Sequence, residues 1–322
     1  MGAPGSFPGA LEKGLSMVRS ALIGLGAIGA AYASRFVASG VPLQVVADPD
    51  RAEHYRCEAT VINGVPHHFD VVEPSRAAPA DLVVVAVKYG QLAAAIELLR
   101  PVVAEGTVVL SLLNGISSEQ VLAAAFPQAR VLLAVSAGID AVRDGRDVRF
   151  TSLGVISYGE PHNRAPFSDA VRLAGGVFDR AGIAHDVPGD MVHTLWWKFL
   201  VNVGVNQVSA VLKAPYAMFQ RPGSPARGVM LAAQREVIAV ANAEGVELGE
   251  ADLHRWLDLL NTLGPGNYTS MAQDAMAGRP TEVDIFAGEV MERGAVHGLD
   301  VPVNTTLFGL LKAAEQLADA AN

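Results

Sequence analysis

The chain is poor in cysteine, in charge and in long hydrophobic runs. Its single cysteine, Cys57, excludes an internal disulfide and any cysteine-rich zinc site. Charged residues make up only 18% of the 322 residues, and no basic run is present. The 24 Lys and Arg against 33 Asp and Glu give a formal net charge of -9. That balance argues against a partner held through a phosphate backbone, so no nucleic acid is expected. The longest uncharged stretches, Ser20–Ser34 and Leu259–Gln273, are fifteen residues each. Both fall short of the roughly 20 residues that span a bilayer, so no membrane insertion is expected. What the chain has in quantity is apolar side chains, 51% of the total, with mean hydropathy +0.30. Large cores are expected, and at about 150 residues per domain the length suggests two domains.

Arg19 followed by Ser20–Ser34 imitates the basic and apolar parts of a secretion signal. Gly24, Gly26 and Gly29 interrupt that run, and a cytoplasmic protein is the expectation. Residues 1–16 hold four glycines and two prolines without a clear period and read as a flexible leader, with Met17 a plausible native start.

From residue 17 to about 136, short apolar runs alternate with helical patterns. Strands are expected at Arg19–Ile23, Leu43–Ala47, Leu82–Val87, Thr107–Leu110 and Val131–Val135. Helices are expected at Ile28–Ser39, Gln91–Leu99 and Ser118–Ala125. Leu82–Val87 is continuously apolar, as in a parallel strand buried on both faces. The alternation predicts an α/β, doubly wound parallel sheet over 17–189. Within it, Arg143-Asp144-Gly145 signals a hairpin and Phe167–Ala181 one more helix. From 190 to 322 an all-helical domain is expected, with helices near 191–212, 226–244, 250–261 and 302–319.

Gly24-Leu25-Gly26-Ala27-Ile28-Gly29 has the spacing of a dinucleotide loop, and here it follows a strand and opens a helix. Gly24 permits the turn, Gly26 lets a pyrophosphate approach the backbone, and Gly29 lets the helix pack on the strand. Asp48 lies at the end of the second strand, where an acid takes a ribose 2′-hydroxyl and favours NAD. Arg51 could instead hold a 2′-phosphate. Lys88 and Asn114 follow later strands at the same ligand-binding edge, although a solvated charge and a plain turn would explain them as well.

The segment Trp196–Asn206 is apolar on nearly every face, yet Lys198, Asn202 and Asn206 stand four residues apart. On a helix they form a polar stripe within roughly 80°. A buried ammonium there needs a counter-ion, a cleft or a shifted pKa, unless the stripe faces solvent or another helix. A second polar cluster runs from Asn267 through Ser270 to Asp274 and on to Arg279-Pro280-Thr281-Glu282. Ser270 and Asp274 share a helical face, and Glu282 is expected to open a further helix. Spacing alone does not pair Glu282 with Lys198.

Taken together, Gly24–Gly29, Val87-Lys88, Asn114-Gly115, Gly159-Glu160, Lys198-Phe199 with Asn202 and Asn206, Asn267 with Ser270, and Arg279-Pro280-Thr281-Glu282 resemble the ketopantoate reductase (2-dehydropantoate 2-reductase) family. The resemblance covers nearly the whole chain from Met17. It implies a Rossmann domain followed by a helical domain similar to the C-terminal domain of 6-phosphogluconate dehydrogenase, with the active site in a cleft between them. It also implies reduction of 2-dehydropantoate to (R)-pantoate, for pantothenate and coenzyme A synthesis, with NADP(H) as the family's default cofactor. By the same resemblance Lys198 matches the catalytic lysine and Glu282 its supporting acid. Asn202, Asn206 and Ser270 match substrate-contacting positions, and Asn267 is a further candidate. Leu25, Ala27 and Ile28 belong to the matched cofactor loop, and Lys88 and Asn114 match cofactor-side residues.

One departure stands out. The family usually has an arginine straight after its second strand, and this chain has Asp48. Either Arg51 with Lys88 replaces it, or NAD(H) is preferred. A D-2-hydroxyacid dehydrogenase of the mandelate type on the same scaffold is therefore the first alternative, and a non-catalytic NAD(P) sensor is an alternative of another class. No metal is required. The histidines lack ligand spacing, Cys57 lacks an activating neighbour, and no serine sits in a nucleophile elbow. The oligomeric expectation is a monomer or homodimer.

Overall fold

The computed structural model describes residues 18–321, so the expected leader and the start at Met17 lie outside the described residues. The chain divides into two compact units, with the boundary between Thr194 and Leu195.

In the first unit the elements run β1 (Ser20–Ile23), α1 (Ala27–Ser39), β2 (Leu43–Val46), α2 (Pro49–Cys57), β3 (Thr60–Ile62), β4 (Val65–His67) and β5 (Asp70–Val72). They continue with β6 (Ala80–Val85), α3 (Leu92–Leu99), β7 (Val103–Ser111), α4 (Ser118–Ala125), β8 (Arg130–Ile139), β9 (Val142–Asp144) and β10 (Asp147–Arg149). β11 (Leu153–Gly159), α5 (Asp169–Ala181) and β12 (His185–Asp186) complete the unit. The main sheet has the order β12-β11-β8-β7-β6-β1-β2-β5. Strands β8, β7, β6, β1, β2 and β5 are mutually parallel, and β11 pairs antiparallel to β8. The order reverses between β1 and β6, which is where open α/β sheets bind ligands beyond their strand ends.

The strands obey the period of two. Leu22, Val45, Leu82, Val84, Val108 and Leu110 join one buried cluster, with residues of α1 and α5. Ile23, Val46, Val83, Val85 and Val109 join another, with residues of α3 and α4. Burial on both faces is why β6 reads as an unbroken apolar run. A second sheet, β4-β3-β10-β9, rests on α1. Its β9–β10 hairpin turns at Gly145, where φ is 57°.

Helix α6 (Met191–Leu212) carries the chain into the second unit. There follow α7 (Ala217–Gln220), α8 (Pro225–Ala243), α9 (Glu250–Leu260), α10 (Ser270–Met276), α11 (Ala287–Val296) and α12 (Pro302–Ala321). Buried polar side chains fix how these helices meet. Gln207 donates to Asn304 (3.1 Å) and accepts from the Ala287 amide (3.1 Å). Asn304 donates to Glu236 (2.7 Å), which also accepts from the Val303 and Asn304 amides at the start of α12. A carboxylate there satisfies the unpaired first-turn N–H groups and complements the helix dipole. Among the described residues no helix is long and apolar enough to cross a membrane.

Candidate active site

The first group of candidate residues lies along one edge of the main sheet. Gly24 follows β1, Asp48 follows β2, Lys88 comes after β6 and Asn114 after β7. These four strands are adjacent and parallel, so the residues line one carboxyl edge over roughly 14 Å, three strand spacings. Gly24 has φ 100°, and a Cβ there would stand 2.5 Å from the Ala86 carbonyl oxygen. A Cβ on Gly29 would stand 1.8 Å from the Gly24 carbonyl oxygen, so helix and turn touch backbone to backbone. Gly26 differs, because nothing lies within 4 Å of its absent Cβ. Open space there leaves the backbone approachable from outside, as a diphosphate requires.

Gly26 caps α1 without a side-chain bond, and the first turn, which holds Ala27 and Ile28, carries no acid. The positive end of the helix is thus left for an anion. Beside it is a cavity of about 140 Å³, whose lining includes Gly24, Leu25, Asp48, Arg51, Tyr55 and Gln91. The residues present fit a dinucleotide.

Asp48 and Arg51 both line that cavity and engage each other. Asp48 is the N-cap of α2, accepting from the Arg51 amide (2.9 Å), and its second oxygen lies 3.6 Å from Arg51 Nε. Pro49 at the first helical position completes a strong helix start. Lys88 is exposed and precedes a short 3₁₀ turn, Tyr89–Gln91. The Tyr89 hydroxyl accepts from Ser117 (3.4 Å), which ties this loop to the one holding half-buried Asn114. Beneath that loop Ser111 and Ser118 share a hydrogen bond (2.7 Å), and Ser118 donates to buried Glu119 (2.9 Å).

The second group lies in the helical unit. Asn202 and Asn206 are 5% and 6% exposed, so the stripe on α6 does not face solvent. Lys198, one turn earlier, is half-buried. Burial pulls the Lys198 ammonium below the usual lysine range, and the Glu282 carboxylate opposes that shift. Glu282 thus stands within electrostatic reach of Lys198, which spacing alone did not establish. Glu282 does not open a long helix: it precedes a one-turn 3₁₀ segment, Val283–Ile285, and α11 starts only at Ala287. Its position is set by neighbours. Thr281 donates from its amide and its hydroxyl to Glu315 (2.8 and 2.5 Å), and Asp284 accepts from Lys312 (2.6 Å). Both anchors are on α12, so the segment is held on either side of the carboxylate.

Asn267 and Ser270 are exposed. The Asn267 carbonyl accepts from the Tyr216 amide (2.9 Å), and Ser270 follows Thr269, the N-cap of α10. Neither makes a side-chain hydrogen bond to Lys198 among the described residues. Asp274, expected to share a face with Ser270, is bound by Arg279 (2.8 Å). Tyr55, Gln91 and Glu119 escaped the sequence reading. Tyr55 and Glu119 sit in segments whose patterns resemble ordinary solvated helix starts and ends, and no local signal marks them.

Two family models match the chain: "Ketopantoate reductase PanE/ApbA" over residues 20–163 and "Ketopantoate reductase PanE/ApbA C terminal" over residues 190–315. A 2-dehydropantoate 2-reductase of Halobacterium salinarum is 33% identical over 246 residues, 76% of this chain and 79% of that protein. The crystal structure of a PanE/ApbA family ketopantoate reductase from Ralstonia eutropha JMP134 superposes with TM-score 0.80 at 27% identity, covering 94% of this chain and 99% of that one. A D-mandelate dehydrogenase bound to NADH and anilino(oxo)acetate shares the fold, with TM-score 0.82 at 20% identity and coverage of 94% and 99%. With both family models matched over most of the chain, the protein belongs to the ketopantoate reductase family, oxidoreductases acting on a CH–OH group.

Proposed function

We propose that the chain reduces a branched 2-keto acid, foremost 2-dehydropantoate, to its (R)-2-hydroxy acid with NAD(P)H, with Lys198 as the general acid. Residues 17–189 would hold the cofactor and 190–322 the keto acid. The carrying observation is a lysine on a buried helix, set against Glu282 and continued by buried Asn202 and Asn206. A structural helix has no need of that arrangement, because a poorly solvated ammonium is costly.

The cofactor's place would be the carboxyl edge of the first unit. Gly24, Leu25, Gly26, Ala27, Ile28 and Gly29 would take the diphosphate and Asp48 a ribose hydroxyl, with Lys88 and Asn114 toward the nicotinamide. When bound, a reduced nicotinamide supplies the hydride. Lys198 then holds a proton where negative charge develops on the substrate oxygen, and delivers it. Glu282 keeps that amine protonated against the pull of burial. Asn202 and Asn206 orient carboxylate or hydroxyl groups without adding charge, and Ser270 and Asn267 would add further polar contacts.

A second reading, NADH-linked reduction of an aromatic 2-keto acid, is favoured by the Asp48–Arg51 pair, because the carboxylate neutralises the cation a 2′-phosphate would need. One kinetic matrix decides between them: 2-dehydropantoate and benzoylformate, each with NADH and NADPH. The first reading expects the higher kcat/KM for 2-dehydropantoate, and a preference for benzoylformate transfers the assignment to the second. On either reading Asp48→Arg moves the cofactor ratio toward NADPH. Turnover of neither acid removes both.

A further inference from the structure

The hairpin at Arg143-Asp144-Gly145 plays no part in the function described above, yet it brings a cation to the glycine loop. Arg143 Nη1 donates to the Leu25 carbonyl, between the first two glycines, and Nε donates to the Gly145 carbonyl (2.8 Å). Its guanidinium carbon lies 5.8 Å from the centre of the Tyr55 ring. Leu25 and Tyr55 both line the cavity at the sheet edge. The arginine in that lining, Arg51, already faces the Asp48 carboxylate. Arg143 has no carboxylate partner among the described residues, and its Nη2 makes no hydrogen bond among them.

The placement follows from the fold. β9 and β10 join the small sheet that rests on α1, so the hairpin reaches the loop that opens that helix. The tight turn at Gly145 folds its own carbonyl back onto Nε, which fixes the plane of the guanidinium. Two of its three nitrogens are thereby held by backbone carbonyls, an orientation set before any ligand arrives.

We propose that Arg143 is a binding residue for the cofactor diphosphate, with Nη2 directed to a phosphate oxygen beside the Gly24–Gly29 turn. The proposal rests on the reading of this edge as a dinucleotide site and adds to it a charge from outside the βαβ unit. Neutralising a phosphate next to the helix N-terminus adds a charge-assisted bond to the backbone N–H donors.

The test is equilibrium binding to the full-length protein, with no turnover required. Dissociation constants are measured for NADH, NADPH, ADP-ribose and adenosine with the wild type, Arg143→Ala and Arg143→Gln. The glutamine amide nitrogen stands where Nε does, so it can still donate to the Gly145 carbonyl but carries no charge. Both variants are expected to weaken NADH, NADPH and ADP-ribose alike, by about tenfold or more, the scale of one charged hydrogen bond. Adenosine, which lacks the diphosphate, should bind within twofold of wild type, and the weakening should shrink as salt rises. A loss confined to NADPH would move the contact to the 2′-phosphate and overturn the proposal. So would an equal loss for adenosine, or wild-type affinity in Arg143→Gln, since either marks a structural role. If the wild type itself binds none of the dinucleotides, the functional reading falls; if it binds them and both variants match it, only this assignment does.

Discussion

At the scale of the residue, the proposed chemistry turns on Lys198 and the two opposed influences on its amine. Burial favours the neutral form and Glu282 the charged one, with burial the larger, so the amine loses its proton at lower pH than an exposed lysine does. An acid that must be protonated gives a falling alkaline limb in kcat/KM. Replacing Glu282 with Gln removes the influence that raises the pKa, so the amine deprotonates at still lower pH and the limb moves toward neutrality. A pH profile that stays in place in Glu282→Gln would show that the carboxylate does not act through the lysine. Lys198→Ala is expected to lower kcat by roughly 10²–10⁴, the usual effect of one positioned acid. In a steady-state assay at saturating substrate, a loss under threefold would remove the role.

At the scale of the element, the glycine loop separates two reasons for lacking a side chain. Gly29→Ala places a Cβ 1.8 Å from the Gly24 carbonyl oxygen, so α1 must retreat from β1. Denaturant unfolding should show a loss near the upper end of the roughly 1–3 kcal/mol typical of overpacking. Gly26→Ala meets nothing within 4 Å and its φ of -68° suits any residue, but alanine caps a helix less well than glycine, so a loss of no more than about 1 kcal/mol is expected. Its cofactor affinity should nonetheless fall, because the methyl occupies the ligand's approach. The reverse pattern, Gly26→Ala unfolding and Gly29→Ala binding weakly but folding well, would mean that the loop is built otherwise. Signals of this kind are local and legible in the sequence, as are the continuous apolar run of β6 and the limits of α6. Helix α2 was not legible, because it buries only Ala52 and shows no apolar period, leaving Asp48 and Pro49 as its only marks. The small sheet was hidden for a different reason: β10 pairs with β3 across a long stretch of chain. Likewise Glu282 sits on a segment held on α12, which no local pattern reports, and only the family resemblance linked it to Lys198 in the sequence.

At the scale of the whole molecule, stability depends on pH through groups whose affinity for protons changes on folding, and Glu119 is the clearest of them. It is 4% exposed, and burial pushes its carboxyl up to about 7, although the Ser118 hydroxyl and nearby amides favour the ionised form. In the unfolded chain the same group titrates near an ordinary glutamate, at about 4.3. Between those values the folded state holds the proton and the unfolded state has released it. Stability from this group is therefore complete below the lower value and is lost as pH rises through the upper one, by roughly 4 kcal/mol in all. Glu119→Gln keeps the shape and, through its amide oxygen, an acceptor for the Ser118 hydroxyl but cannot ionise. Unfolding free energies measured from pH 5 to pH 8 should then diverge, the variant gaining on the wild type as pH rises and levelling off above about 7. Parallel curves would show that Glu119 stays charged in the fold, with water or a rearranged loop reaching it. Because the Leu113 amide lies 3.4 Å from Ser111 Oγ, such a rearrangement would also displace the Asn114-Gly115 turn. A cofactor affinity that differs between the wild type and Glu119→Gln by the same factor at every pH would report it.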